Sequence, residues 1–273
     1  MNRRHRGMVA LAAVPLIGIA APRYLWFRRG RLPSECRQNT ITSKGGIPLS
    51  TTCIARGRPH AIIVAHGFLK CTRTPGILWM MQQLADRFDV HALDFAGHGE
   101  SGGASAMDFA AAGQDLACLV EHVRRQGYRR VAVVGYSMGA AAAMYAAAHG
   151  VPLDAVVSVC GPVRPPESLG QRPRSTALWR WWAALMGTRL DETLRPGPWP
   201  LEYVDRVAPT PLLIVHHEMD TLIRRTDSEA LYAKARPPKD YLSVPGALHA
   251  IPPASGDAVI AWLEQRLAHT DPL

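Results

Sequence analysis

The fold of this chain is decided by residues 131–144, which read VAVVGYSMGAAAAM. A valine-rich run typical of a buried strand leads into the pattern G-x-S-x-G at 135–139, and a run of small residues typical of a helix follows. A serine on such a tight turn projects its Oγ above the sheet edge, and the flanking glycines let strand and helix approach closely. The stretch therefore predicts Ser137 as a nucleophile.

Runs that resemble strands alternate with helical patterns on both sides of this stretch. The predicted strands are residues 40–43, 48–54, 61–65, 90–94, 131–135, 155–160, 211–216 and 241–244. The predicted helices are residues 78–87, 107–125, 139–148, 228–235 and 254–268. Apolar strands that alternate with helices indicate a mostly parallel sheet with helices on both faces. The fold class is therefore α/β, in one domain over residues 32–273.

Residues 162–208 interrupt this alternation and read as an insertion between two strands. The segment is rich in proline and arginine and holds four tryptophans, at positions 179, 181, 182 and 199. So many tryptophans are unusual for a solvated loop, and they either anchor the insertion to the domain or line the entrance to the site. We predict an inserted helical cap over Ser137, in which Trp181 and Trp182 contact the substrate and set the acyl preference.

A serine hydroxyl becomes an effective nucleophile only when a base takes its proton, and the base needs a carboxylate to orient it. When the nucleophile lies on a G-x-S-x-G turn, the acid and then the histidine follow later strands of the sheet. Asp220 follows the predicted strand 211–216, and His249 follows the predicted strand 241–244. These positions predict a Ser-Asp-His triad with Ser137.

Four other residues compete for the roles of acid and base. Glu218 lies closer to its strand than Asp220 does, and Asp227 falls where a helix is expected to start. His216 lies within a predicted strand, and His269 lies in the C-terminal tail. We therefore predict Asp220 as the acid and His249 as the base.

The attacked carbonyl oxygen becomes negatively charged in the transition state and needs backbone N–H donors. One donor is expected directly after the nucleophile, which is the N–H of Met138. The other is expected in the loop after the first parallel strand, and we assign it to the N–H of Phe68. Two histidines in neighbouring loops, His66 and His98, are predicted to be structural packing residues.

The chain from about residue 61 to 268 resembles the α/β-hydrolase superfamily, especially its monoacylglycerol-lipase, lysophospholipase and serine-aminopeptidase-like branch. The matching pieces are HGF at 66–68, LDFAGHGES at 93–101, GYSMG at 135–139, DTLI at 220–223 and GALHA at 246–250. The resemblance implies the α/β-hydrolase fold, and a serine nucleophile separates the chain from epoxide hydrolases and dehalogenases, which use aspartate. One departure is His217, because relatives usually carry a glycine at that position.

These features predict a serine hydrolase of the esterase or lipase type, which cleaves a small-molecule or lipid-like carboxylic ester through an acyl-enzyme. No cofactor and no metal are expected. One alternative is a thioesterase or an amide hydrolase with the same triad. An alternative of another class is a catalytically inactive, membrane-anchored binding protein.

The net charge of +9 is concentrated in residues 1–31, which hold seven arginines and no acidic residue. The rest of the chain is close to neutral, so nucleic acid is not a predicted partner. Residues 7–27 are mostly apolar and would span about 31 Å as a helix, enough for a bilayer if Arg23 extends toward the headgroups. We predict an N-terminal membrane anchor, with a cleaved signal peptide and an unanchored leader as alternatives.

The five cysteines show no CxxC pair and no histidine spacing suited to zinc. Cys118 and Cys160 lie in apolar segments and are predicted to be core residues. Cys36 and Cys53 would face each other across a hairpin that turns at 44–46. A disulfide between them requires an oxidising compartment, so the pairing is left open.

Overall fold

The computed structural model describes residues 30–165, 177–192 and 194–268. Within these residues, eight strands form one sheet: β1 Arg37–Thr42, β2 Pro48–Ile54, β3 His60–Ala65, β4 Asp89–Leu93, β5 Arg130–Tyr136, β6 Ala155–Val159, β7 Leu212–His217 and β8 Lys239–Val244. Their order across the sheet is β1-β2-β4-β3-β5-β6-β7-β8. Strands β3 to β8 are parallel, and β2 is antiparallel to both of its neighbours. The predicted α/β class with a mostly parallel sheet is confirmed.

The helices cover both faces of the sheet. Those described are α1 Pro75–Ala85, α2 Phe109–Arg124, α3 Met138–Ala148, α4 Ala177–Leu185, α5 Arg225–Lys234 and α6 Pro252–Ala268, with single 3₁₀ turns at Pro200–Glu202 and Val204–Arg206. Along β3, Ile62 and Val64 join the core shared with α1 and α6. Ala61 and Ile63 join the core shared with α2 and α3. Alternate residues of one strand are thus buried on opposite faces, which explains its continuous apolar sequence.

Several predicted elements begin later than the real ones. Helix α1 begins at Pro75 and not at residue 78, because proline is suited to the first turn of a helix, where its missing N–H is not needed. Strand β1 begins at Arg37 and not at residue 40, and its exposed polar residues pair with β2 at the sheet edge. Because most residues of this edge strand are exposed, its sequence lacks the apolar pattern of a buried strand, and its first residues are not predicted as strand.

The insertion between β6 and β7 contributes α4 and both 3₁₀ turns. Its residues Thr188 and Leu190 form β-bridges with His98 and Ser105 in the loop after β4. Arg189 strengthens this contact, because its side chain donates hydrogen bonds to the carbonyls of Ser101 and Gly103. The described part of the insertion is therefore attached to the loops at the carboxyl end of the sheet.

The apolar run at 7–27, on which the anchor and signal-peptide predictions rest, lies outside the described residues, so both stay predictions. Among the helices that are described, none is long and apolar enough to cross a bilayer.

All five cysteines are free thiols in this structure, including Cys36 and Cys53. Cys160 is buried as predicted, whereas Cys118 is only partly buried. The prediction of a core position for Cys118 is wrong because its site on α2 lies beside the buried stripe formed by Leu116, Leu119 and Val120.

Candidate active site

The backbone at Ser137 has the conformation of a strained turn. Its φ of 51° and ψ of −115° lie in a region of backbone conformation that residues other than glycine rarely adopt. The turn is held on both sides, because the Ser137 N–H donates to the Val159 carbonyl at 2.9 Å and the Ser137 carbonyl accepts from the Ala140 N–H at 2.9 Å. The serine thus lies between β5 and α3, in the strand–turn–helix context that the sequence predicts.

Two glycines make this turn possible because the backbone around it is crowded. A Cβ atom at Gly135 would lie 2.4 Å from the Gly139 carbonyl oxygen, and one at Gly139 would lie 2.3 Å from the Ala65 carbonyl oxygen. Real Cβ atoms do not approach backbone so closely, so neither position accepts a side chain without movement of β3, β5 or α3.

Gly139→Ala should therefore destabilise the fold even though alanine favours helices. We expect the steric cost to exceed the propensity gain of about 1 kcal/mol and to leave a net loss of about 2 kcal/mol. That loss corresponds to a fall in melting temperature of about 4–8 °C. Gly45→Ala is the matched control, since its Cβ would meet only the Ser43 Oγ at 3.9 Å. Equal melting temperatures for the two variants would contradict the steric argument.

The structure brings the three residues of the predicted triad into one hydrogen-bonded series. The His249 Nε2 lies 3.0 Å from the Ser137 Oγ, and the His249 Nδ1 lies 2.7 Å from the Asp220 Oδ2. A carboxylate only accepts, so Nδ1 carries the proton and Nε2 is left to accept the serine proton. The three residues follow β5, β7 and β8, and these strands end at the same edge of the sheet because they are parallel.

The Asp220 carboxylate is fixed by its own loop. Its Oδ1 accepts the backbone N–H groups of Leu222 at 2.8 Å and Ile223 at 3.0 Å, which leaves Oδ2 for His249. Burial acts to raise the pKa of Asp220, but the hydrogen bonds from His249 and the two amides outweigh it, and the net shift of the pKa is downward. The carboxylate is therefore ionised at neutral pH.

The two competing acids are engaged elsewhere, and the competing base His269 lies outside the described residues. Glu218 accepts a hydrogen bond from the Ser243 hydroxyl at 2.8 Å, and Asp227 forms ion pairs with Arg164 and Arg224. His216 lies inside β7, as predicted.

A thiol lies beside the acid and base, which the sequence reasoning missed. The Cys160 Sγ, a carboxylate oxygen of Asp220 and a ring nitrogen of His249 all lie within 4.8 Å of one another. Burial raises the pKa of the Cys160 thiol to about 12, and the hydrogen bond to Asp220 adds to the shift. The thiol is thus protonated and neutral, while Asp220 and His249 are already bonded to each other, so we assign no metal to this group. Its position directly after β6, next to β7, is the signal that reveals it.

The loop assigned to the second oxyanion donor is held by a neutral histidine. The His66 Nδ1 donates to the Gly67 carbonyl at 2.8 Å, and its Nε2 accepts the Phe95 N–H at 3.1 Å. Burial lowers the pKa of His66 to about 4, which keeps the ring neutral and this pattern intact. A Cβ on Gly67 would lie 3.2 Å from the Ser137 Cβ, so the loop borders the serine. The N–H groups of Phe68 and Met138 stay predictions as oxyanion donors.

The aromatic residues of the insertion divide between anchoring and exposure. The Trp199 ring packs edge-on against Phe109 at 5.3 Å, so this tryptophan anchors the segment to the domain. Trp182 is half-buried, and Trp181 is 62% exposed on α4. The insertion also approaches the loop of Phe68, because Thr188 pairs with His98, whose ring contacts Phe68 at 5.7 Å. Contact of Trp181 and Trp182 with substrate stays a prediction.

An apolar rim adjoins the proposed acid and base. Among the described residues, the exposed large apolar side chains are Trp181, Leu185, Met219, Leu222 and Leu248. Three of these, Met219, Leu222 and Leu248, lie within two residues of Asp220 or His249. Exposed apolar side chains gathered around a polar site are typical of a surface that binds an apolar ligand.

Comparison with known proteins agrees with this fold. Residues 62–272 match the Alpha/beta hydrolase family. Protein YfhR of Salmonella typhimurium is 27% identical over 265 residues, with 88% of this chain and 85% of that protein covered. The structure of the esterase Pf2001 from Pyrococcus furiosus aligns with a TM-score of 0.68 at 19% identity, over 86% of this chain and 92% of that one. Est1E from Butyrivibrio proteoclasticus, solved with ferulic acid bound, aligns with a TM-score of 0.63 at 18% identity, over 84% and 99%.

Proposed function

We propose that this chain, which belongs to the alpha/beta hydrolase family, is a serine esterase that cleaves carboxylic esters through an acyl-enzyme. One observation carries the proposal: the hydrogen-bonded series from the Ser137 Oγ through His249 to the Asp220 carboxylate, with separations of 3.0 and 2.7 Å. These distances support the proposal, because a base acts on the serine proton, and a carboxylate orients that base, only within hydrogen-bond reach.

The reaction follows from the proton positions. As the Ser137 Oγ attacks the ester carbonyl carbon, its proton passes to the His249 Nε2, and Asp220 stabilises the imidazolium that forms. The carbonyl oxygen becomes an oxyanion and accepts hydrogen bonds from the N–H groups of Phe68 and Met138. His249 then gives its proton to the departing alcohol. A water molecule then attacks the acyl-enzyme while His249 takes its proton. The proton passes to the Ser137 Oγ as the acid leaves, and Ser137 is regenerated.

The apolar rim supports an ester with an aliphatic acyl group. Leu222 and Leu248 flank the acid and base and are exposed. An acyl chain that packs against them would gain about 0.8 kcal/mol of binding free energy for each CH₂ it buries. We propose short or medium acyl esters as the best substrates. The esterase Pf2001 has the same fold, and the motif resemblance to the monoacylglycerol-lipase and lysophospholipase branch points to the same chemistry.

A fluorophosphonate probe and a panel of substrates test this proposal. The wild-type protein should be labelled covalently at Ser137 and should hydrolyse p-nitrophenyl esters faster than matched thioesters and amides. Preference for a thioester or an amide would replace the ester assignment with the alternative chemistry. Absence of both labelling and hydrolysis would favour an inactive binding protein.

The insertion should influence acyl-chain selection. Replacing Trp181 or Trp182 with alanine should change the dependence of kcat/KM on acyl length along a p-nitrophenyl ester series, while a small fluorophosphonate still labels Ser137 at the wild-type rate. Leu185→Ala, on the same helix, is the control for a general disturbance of α4. An unchanged chain-length profile in both tryptophan variants would show that α4 packs on the domain without selecting substrate.

A further inference from the structure

The loop that carries His249 has little apolar anchoring of its own. It leaves the sheet after Val244, and α6 begins at Pro252. Of its residues 245–251, only Ala247 is buried, and Ala250 has a positive φ of 48°. Because exposed loops with few buried side chains are mobile, the placement of His249 must depend on specific hydrogen bonds.

One of these hydrogen bonds comes from a buried imidazole at the end of β7. His217 pairs in register with Val244, so its ring lies where the His249 loop leaves the sheet. The His217 Nδ1 lies 2.6 Å from the Leu248 carbonyl oxygen, and its Nε2 lies 3.2 Å from the Ser255 hydroxyl on α6. The carbonyl can only accept, so Nδ1 is the donor and Nε2 accepts from Ser255.

The same residue also belongs to the loop of the acid. The His217 carbonyl accepts the Asp220 N–H at 2.9 Å, and the Met219 N–H donates to the Ala247 carbonyl at 2.9 Å. The backbone of the acid loop and the side chain of His217 therefore hold two consecutive carbonyls, those of Ala247 and Leu248. The two loops are joined directly before His249.

We infer that His217 is a positioning residue, whose imidazole holds the Leu248 carbonyl and thereby keeps His249 within reach of both Ser137 and Asp220. The inference rests on the proposed function. A rotation of the peptide between Leu248 and His249 would move the His249 ring, and a displacement of 1 Å at a reacting group can cost about a hundredfold in rate. Glycine, the residue usual here in the relatives that the motifs resemble, has no side chain for this contact.

Two variants separate the Leu248 contact from the Ser255 contact. In asparagine the side-chain amide nitrogen takes about the place of Nδ1, so His217→Asn keeps a donor to the Leu248 carbonyl. In glutamine the amide reaches about the place of Nε2, so His217→Gln keeps a partner for Ser255 and loses the donor to Leu248. Ser255→Ala is the control, since it removes the other ring contact and leaves Leu248 bonded.

We expect His217→Gln to lower kcat for a p-nitrophenyl ester about 10- to 100-fold with little change in KM, and to slow fluorophosphonate labelling in proportion. His217→Asn and Ser255→Ala should stay within about threefold of wild type. Hydrogen exchange of the amides at 246–251 should accelerate in the Gln variant and not in the Asn variant. His217→Ala takes the place of the Gln variant if that protein does not fold, with the same expected loss.

Equal losses in the Asn and Gln variants, or a larger loss in Ser255→Ala than in His217→Gln, would overturn the positioning role and leave His217 as a packing residue. That outcome leaves the proposed function standing, because the wild type is still labelled at Ser137. Failure to label the wild type would instead overturn the proposed function. The exchange pattern alone would then decide whether His217 holds the loop.

Discussion

Ser137→Ala should abolish ester hydrolysis and fluorophosphonate labelling without lowering the melting temperature. The Oγ is the atom that forms the acyl-enzyme, so its removal leaves His249 and Asp220 with no nucleophile to activate. Losses of about a millionfold in kcat are typical when the serine of such a triad is removed. The purified variant should therefore show only background hydrolysis.

The measurement needs a control that removes a serine without touching the site. Ser243→Ala is suitable, because its hydroxyl donates to the carboxylate of Glu218 and not to His249. Thermal unfolding of both variants shows whether the fold is intact. Turnover at more than about one thousandth of the wild-type rate in purified Ser137→Ala would falsify the assignment of Ser137 as nucleophile.

The residues of the proposed triad could be predicted because each is marked by local sequence. Ser137 lies in a tight turn whose glycines are required because a Cβ atom at Gly139 would lie only 2.3 Å from a backbone oxygen, so the pattern G-x-S-x-G is a direct consequence of the geometry. Asp220 and His249 lie in the loops that follow apolar runs that read as strands, and parallel strands end at a common edge. Chain order and strand ends together were sufficient to bring these residues into one site.

The residues that contact the proposed triad and its loops were not predictable in the same way. Cys160 reads as an ordinary core residue, because its contact with Asp220 depends on the pairing of β6 with β7. His217 reads as the end of a strand, and its bond to the Leu248 carbonyl spans 31 positions of the chain. Such contacts depend on loop conformation, and no local pattern encodes where a side chain will find its partner across two loops.

The apolar rim was missed for another reason. Met219, Leu222 and Leu248 lie in short loops between elements, where a single apolar residue carries no periodic signal. The structure shows that these residues are exposed, and the contact between His249 and Asp220 brings the loop of Leu248 next to the loop of Met219 and Leu222. The tryptophans of the insertion stand out by their number, but only the structure shows that Trp199 packs on Phe109 while Trp181 is exposed.

Asp220→Asn should lower kcat by about ten-thousandfold while leaving the fold intact. Asparagine has nearly the same shape and can still accept the N–H groups of Leu222 and Ile223 through its oxygen. It then presents an NH₂ group to the His249 Nδ1, which favours the tautomer with the proton on Nε2 and removes the acceptor for the serine proton. It also removes the charge that stabilises the imidazolium.

The matched control is Glu218→Gln, two residues earlier in the same loop. Its carboxylate bonds to the Ser243 hydroxyl, so the variant should keep wild-type activity.

The pKa of Asp220 is shifted downward, so its ionised form stabilises the folded state at neutral pH, and this contribution is lost as the pH falls through the lowered pKa. The stability of Asp220→Asn should accordingly vary less between neutral and acidic pH than that of the wild type.

A large loss of activity in Glu218→Gln with little loss in Asp220→Asn would show that Glu218 is the acid, and that the 2.7 Å contact between His249 and Asp220 is not the one used in catalysis.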